Sequence, residues 1–152
     1  MNNPDLLSYF HKDLFIPELS ATKREDVLKE MVYYLAVKEK ISDTTLIYDL
    51  VKKREDLGST GIGEGIAIPH CRSIAVEKLT VLCALKSKGV AFKSPDDMPV
   101  KLFFMVVAPP QDMNYLVFLG KLVEILTDKK IKNVLFNITS FEEFTELVSG
   151  VT

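Results

Sequence analysis

Residues 100–110 read Val-Lys-Leu-Phe-Phe-Met-Val-Val-Ala-Pro-Pro, a run of β-branched and aromatic residues closed by a double proline. Only Lys101 interrupts its apolar character, so the spacing predicts a strand over 100–107 buried on both faces. Pro109 and Pro110 end it, because neither can donate to a sheet ladder. Working outward, residues 79–86 and the tripeptide Ile66-Ala67-Ile68 are further strand candidates, and 13–19 (DLFIPEL) reads as extended. Helical spacing surrounds them. Residues 22–38 open with a capping box, Thr22 and Glu25, and carry Val27, Leu28, Met31, Val32, Leu35 and Ala36. Residues 43–55 place Leu46, Ile47, Leu50 and Val51 on one face. Residues 112–128 repeat Leu116, Leu119, Leu122, Val123 and Leu126, and a last helix starts at Ser140, boxed to Glu143, with Phe144, Leu147 and Val148. Strands interleaved with helices on this scale predict an α/β fold, a single mixed β-sheet flanked by helices on both faces.

The chain has 152 residues, 47% of them apolar, which suits one domain over 1–152 with a sizeable core. Its 19 Lys and Arg nearly balance 21 Asp and Glu, so no basic excess favours nucleic acid or an anionic membrane. The start lacks a basic segment followed by an apolar one, and the longest apolar run, Leu102–Ala108, is far short of the roughly 20 residues that span a bilayer. A cytoplasmic protein without membrane insertion is expected. Two cysteines, Cys71 and Cys83, fit a reducing compartment, and with only two histidines beside them no metal site is expected.

Residues 58–65, Gly-Ser-Thr-Gly-Ile-Gly-Glu-Gly, hold four of the seven glycines and predict a backbone-dominated loop rather than helix or strand. The phosphate-binding motifs fail here: no Gly-Lys-Ser/Thr follows, and Ile66 stands where the dinucleotide fingerprint needs glycine. No nucleotide or other cofactor is expected. The loop leads instead to Ile66-Ala67-Ile68-Pro69-His70, where a strand delivers a histidine just after a proline that fixes the local backbone. A largely neutral imidazole is a nucleophile without help from a base. Arg54 offers a planar, permanent cation suited to phosphoryl oxygens, and Ser59 and Thr60 offer hydroxyls.

Arg54-Glu55 through GSTGIGEGIAIPHC (58–71) resembles the active-site signature of the mannitol/fructose-type (type 2) enzyme IIA domains of the phosphoenolpyruvate-dependent sugar phosphotransferase system, a family that includes nitrogen-type regulatory relatives. The likeness continues through LKSKGVAFKSPDDMPVKLFFMVVAPP and YLVFLGKLVEILTD and covers nearly the whole chain. The resemblance implies that His70 accepts a phosphoryl group from the phosphohistidine of an HPr-like carrier, or its nitrogen-branch counterpart, and passes it to an enzyme IIB partner or uses it as a regulatory switch. Arg54, Ser59, Thr60 and the loop amides would stabilise the transferring group.

Efficient members of that family carry a second histidine at the start of the long helix, in the pattern His-Leu-x-x-Leu, and the alignment puts Tyr115 there. A phenol can donate one hydrogen bond but brings neither charge nor a proton shuttle at neutral pH; Asn114 is the alternative donor if the helix begins one residue earlier. This departure motivates a second reading, a regulatory docking module of the same fold without onward transfer. A thiol enzyme built on Cys71 is disfavoured, since neighbours in an extended segment point to opposite sides. Cys83 reads as core, Met98, Met105 and Met113 as core or edge filler, His11 as solvated or packed, and Lys129, Lys130 and Lys132 as a solvated turn. Ile62, Met113 and Tyr115 are the expected apolar docking rim.

Overall fold

The computed structural model describes residues 1–150. Its spine is the antiparallel pair β5 (Thr80–Val90) and β6 (Val100–Ala108), paired from Thr80 with Val107 to Val90 with Val100. β1 (Phe15–Ile16) adds in parallel to β5. On the other side of β6, β3 (Ile66–Ala67) pairs in parallel with Leu102 and Phe103, and β4 (His70–Arg72) pairs in parallel with Val106–Ala108. The short β2 (Gly61–Gly63) closes the edge antiparallel to β3, completing a mixed six-stranded sheet.

Alternation along β6 divides the core in two. Phe103, Met105 and Val107 face helices α2 (Arg24–Val37) and α3 (Thr44–Leu57), whereas Phe104, Val106 and Ala108 face α1 (Asn3–Leu7), α4 (Tyr115–Leu126), α5 (Lys129–Leu135) and α6 (Phe141–Ser149). From Leu102 to Ala108 both faces of the strand are fully buried, so β6 anchors two hydrophobic layers at once. No helix among the described residues is long and apolar enough to cross a membrane.

Five local expectations are corrected. The Thr22–Glu25 capping box does not form: the Glu30 carboxylate accepts the amides of Ser20 and Ala21, and the helix begins at Arg24 behind Lys23, which has no side-chain cap bond. Residues 61–63 form a short strand rather than loop, because the amides and carbonyls of a glycine-rich segment are free to pair with β3 across a bulge. In α4 the buried stripe is Tyr115, Phe118, Leu122, Ile125 and Leu126, while Leu116 and Val123 are exposed; the larger aromatic surfaces win the inward face. The lysine run is helix α5, capped by the Asp128 side chain on the Lys130 amide and buried through Ile131 and Leu135. At Ser140 the cap is as expected toward Glu143, but the Glu143 carboxylate reaches the amide of Thr139 instead of completing the box.

Candidate functional site

Pro69 separates β3 from β4, and its carbonyl accepts the Val106 amide, so the chain rejoins the same parent strand after a two-residue gap. Within the gap the Ile68 carbonyl receives His70 Nδ1 at 2.8 Å. A carbonyl can only accept, so Nδ1 carries the proton and Nε2 keeps its lone pair. The ring is half-buried, and its pKa lies below the ordinary imidazole value: burial is the main cause, the nearby charge of Arg54 adds to it, and the Ile68 bond opposes it. His70 therefore presents a neutral, oriented nucleophile near pH 7.

Arg54 comes from the last turn of α3 and donates from Nη1 to the Gly58 carbonyl at 2.7 Å, which holds the guanidinium at the loop mouth. Its neighbour Glu55 points inward and is 2% exposed. The Glu55 carboxylate accepts both the amide of Thr60, at 3.0 Å, and the Thr60 hydroxyl. Burial raises the Glu55 pKa, against the lowering effects of Thr60 and of Arg24 and Arg54. Ser59 donates its hydroxyl to the Phe92 carbonyl at 2.8 Å and accepts the Gly61 amide at 3.0 Å. Thus the charge of Arg54 reaches the His70 ring, while the hydroxyls of Ser59 and Thr60 are engaged in holding the loop.

The loop is fastened from outside as well. Asp96 accepts the Glu64 amide at 2.7 Å, and Lys132 on α5 pairs with the Glu64 carboxylate at 2.8 Å. Gly65 has φ +80°, and a Cβ there would meet the Phe136 ring at 2.9 Å, so glycine is required both by conformation and by space.

Asn114 is the residue before α4, and Tyr115, its first residue, is the one beside His70: the two ring centroids are 6.3 Å apart, inclined by 55°. Tyr115 is buried at 5% exposure, and its phenol is pushed up to about 12, mainly by burial, so it remains an O–H donor at neutral pH. Tyr115 therefore does not belong to an exposed rim. Met113, at 91% exposure, does, and Leu116 and Val117 beside it are exposed too, with Ile62 half-buried. Cys71 faces the opposite, α2–α3 core, and burial pushes its thiol up to about 12, which leaves no thiolate for a Cys71–His70 dyad. Cys83 is fully within the core, Met105 is buried, Met98 and His11 are solvent-exposed.

Sequence reading missed two participants. Arg72 stacks on Tyr115, with its guanidinium carbon 4.4 Å from the ring centroid; strand alternation from His70 would have put it on the same face. The Glu55 anchor had no separate signal, because a carboxylate at a helix end ordinarily reads as solvated.

This is an α/β sandwich that presents one oriented, neutral histidine with an adjacent arginine beneath a fastened glycine loop. The family model for the "Phosphoenolpyruvate-dependent sugar phosphotransferase system, EIIA 2" matches residues 8–150, and the chain belongs to that family. It is 31% identical over 138 residues to the PTS system fructose-specific EIIA component of Haloferax volcanii, covering 90% of this chain and 88% of the relative. It is 30% identical to the PTS system fructose-specific EIIABC component of Bacillus subtilis over 86% of this chain, which spans only 21% of that relative. Among solved structures it is similar to Nitrogen Regulatory Protein IIA-Ntr from Neisseria meningitidis, with TM-score 0.85, 27% identity, and coverage of 93% of this chain and 97% of the other. A complex of enzyme IIA mannitol with phosphorylated enzyme IIB from Escherichia coli shares the fold, with TM-score 0.77, 21% identity, and coverage of 93% and 98%.

Proposed function

We propose that this enzyme IIA component accepts a phosphoryl group on Nε2 of His70 from the phosphohistidine of an HPr-like carrier, and passes it to an enzyme IIB partner or holds it as a regulatory signal. The observation that carries this reading is the 2.8 Å contact from His70 Nδ1 to the Ile68 carbonyl, which commits one nitrogen to the backbone and leaves the other as nucleophile. In the transfer, the Nε2 lone pair forms the new N–P bond while the carrier's N–P bond breaks and its imidazole keeps the electron pair. The His70 ring gains positive charge, which the Nδ1–H shares with the Ile68 oxygen. Arg54 neutralises the oxygens of the phosphoryl group in flight, and the Tyr115 phenol donates to them. Ser59 and Thr60 serve through the loop they hold. The exposed Met113, Leu116 and Val117 form the surface on which the carrier docks.

A second reading, a regulatory docking module without onward transfer, is favoured by one observation: Tyr115, with its phenol near 12, supplies no charge and shuttles no proton. Both readings share the same test. Intact-mass measurement after incubation with phosphoenolpyruvate, enzyme I and HPr should show one phosphoryl group on the wild type and none on His70→Ala. Labelling that persists in His70→Ala overturns the acceptor assignment; labelling of wild type that never moves to an added IIB domain selects the regulatory module.

A further inference from the structure

Arg72 lies two residues beyond His70 on β4, and both turn outward while Cys71 between them enters the core. Its guanidinium is held twice. The carbon sits 4.4 Å from the centroid of the Tyr115 ring, and Nη1 donates to the Pro110 carbonyl at 3.1 Å. That carbonyl belongs to the turn leaving β6, so the arginine ties the end of the strand to the start of α4. Tyr115 is in turn packed beside His70, at 6.3 Å between centroids.

Resting on the acceptor reading of His70, we propose that Arg72 is a positioning residue for phosphoryl transfer, clamping the Tyr115 ring so that its phenol is held as a hydrogen-bond donor at the His70 face. Stacking on a ring while donating in-plane to a carbonyl requires a planar guanidinium; a lysine ammonium satisfies one requirement or the other. Core packing buries the Tyr115 ring at the start of α4, but among the described residues no carboxylate or amide receives its phenol, so the direction of the O–H is set by what borders the ring. The clamp supplies that order. Its expected effect is on the rate of the step and not on the binding of the carrier, because the arginine acts through a group that meets the phosphoryl oxygens only during transfer.

The test is a double-mutant cycle in single-turnover transfer from phosphorylated HPr, using wild type, Arg72→Ala, Tyr115→Phe and the pair together. Arg72→Ala should slow the transfer about two- to fivefold, the scale of a cation–π contact at an exposed site, with KM for phosphorylated HPr unchanged. Tyr115→Phe keeps the ring but loses the donor, so in that background Arg72→Ala should add little. Arg72→Lys should fail to restore the rate. Because Arg72 is solvent-exposed, matching melting temperatures will show that the variants are folded. Additive losses would overturn the clamp, since Arg72 would then act independently of the phenol. An unchanged rate for Arg72→Ala, with His70→Ala inactive, overturns the clamp while leaving the acceptor reading standing. A wild type that takes no phosphoryl group overturns both.

Discussion

The imidazole of His70 and the carbonyl of Ile68, two residues apart, are joined by a 2.8 Å hydrogen bond that fixes the tautomer of the ring. The phosphoryl group is therefore expected on Nε2, which nitrogen-15 and phosphorus-31 NMR of the phosphorylated protein will establish. Burial holds the His70 pKa below 6.5, so the ring stays neutral further into acid than a free imidazole. The acid limb of the transfer rate should accordingly fall below pH 6.5; a limb above that value would show that a different group governs it.

Glu55 gives a pH signature in stability. Its folded pKa is raised above the ordinary 4.5, mainly by burial, so the unfolded chain releases the proton first as pH rises. The favourable contribution is fully present below about pH 4.5 and is lost as pH climbs through the folded value. Replacing the group by Glu55→Gln should remove this slope, so the difference in melting temperature between variant and wild type will shift in the variant's favour from acid toward neutral pH. Glu55→Ala, which strands the amide and hydroxyl of Thr60, should cost about 1–3 kcal/mol in denaturant unfolding.

Gly65→Ala combines an unfavourable φ with a clash against the Phe136 ring. A loss of about 1–3 kcal/mol is expected by chemical denaturation. Phe136→Leu should recover the part due to the clash and leave the part due to φ.

Leu116 is exposed on α4 one residue past Tyr115. Leu116→Glu should leave the melting temperature within error but raise KM for phosphorylated HPr roughly fivefold, the scale of about 1 kcal/mol lost from an interface. An unchanged KM would move the docking surface elsewhere.

Cys71, with its thiol near 12, should resist iodoacetamide at pH 7.5 in the folded protein and react on unfolding. Mass spectrometry of the native and denatured protein separates the two.

The strands and the two-faced burial were legible because β6 is a nearly unbroken apolar run, and periods of 2 and 3.6 are readable without tertiary knowledge. The Pro69-His70 junction was legible for a similar reason: proline and a glycine cluster restrict the backbone whatever packs around them. What the residues alone did not disclose was direction. Ser59 and Thr60 read as hydroxyls at a site mouth, yet their partners, the Phe92 carbonyl and the Glu55 carboxylate, arrive from elements whose placement only the fold supplies. The same holds for α4, where Leu116 and Tyr115 fit adjacent stripes of one helix and the sheet decides which is covered.

From β3 to β4 the register on β6 is unbroken, Ala67 standing opposite Phe103 and His70 opposite Val106. Pro69 turns its backbone to β6, where its carbonyl takes the Val106 amide, while Ile68 turns the other way and gives its amide to the Thr60 carbonyl. The oxygen that sets the imidazole therefore lies on the edge side of the sheet and not on its spine. An engineer who widened the sheet with a strand laid along that edge would offer the same oxygen a rival amide, and would unset the tool in extending the bench.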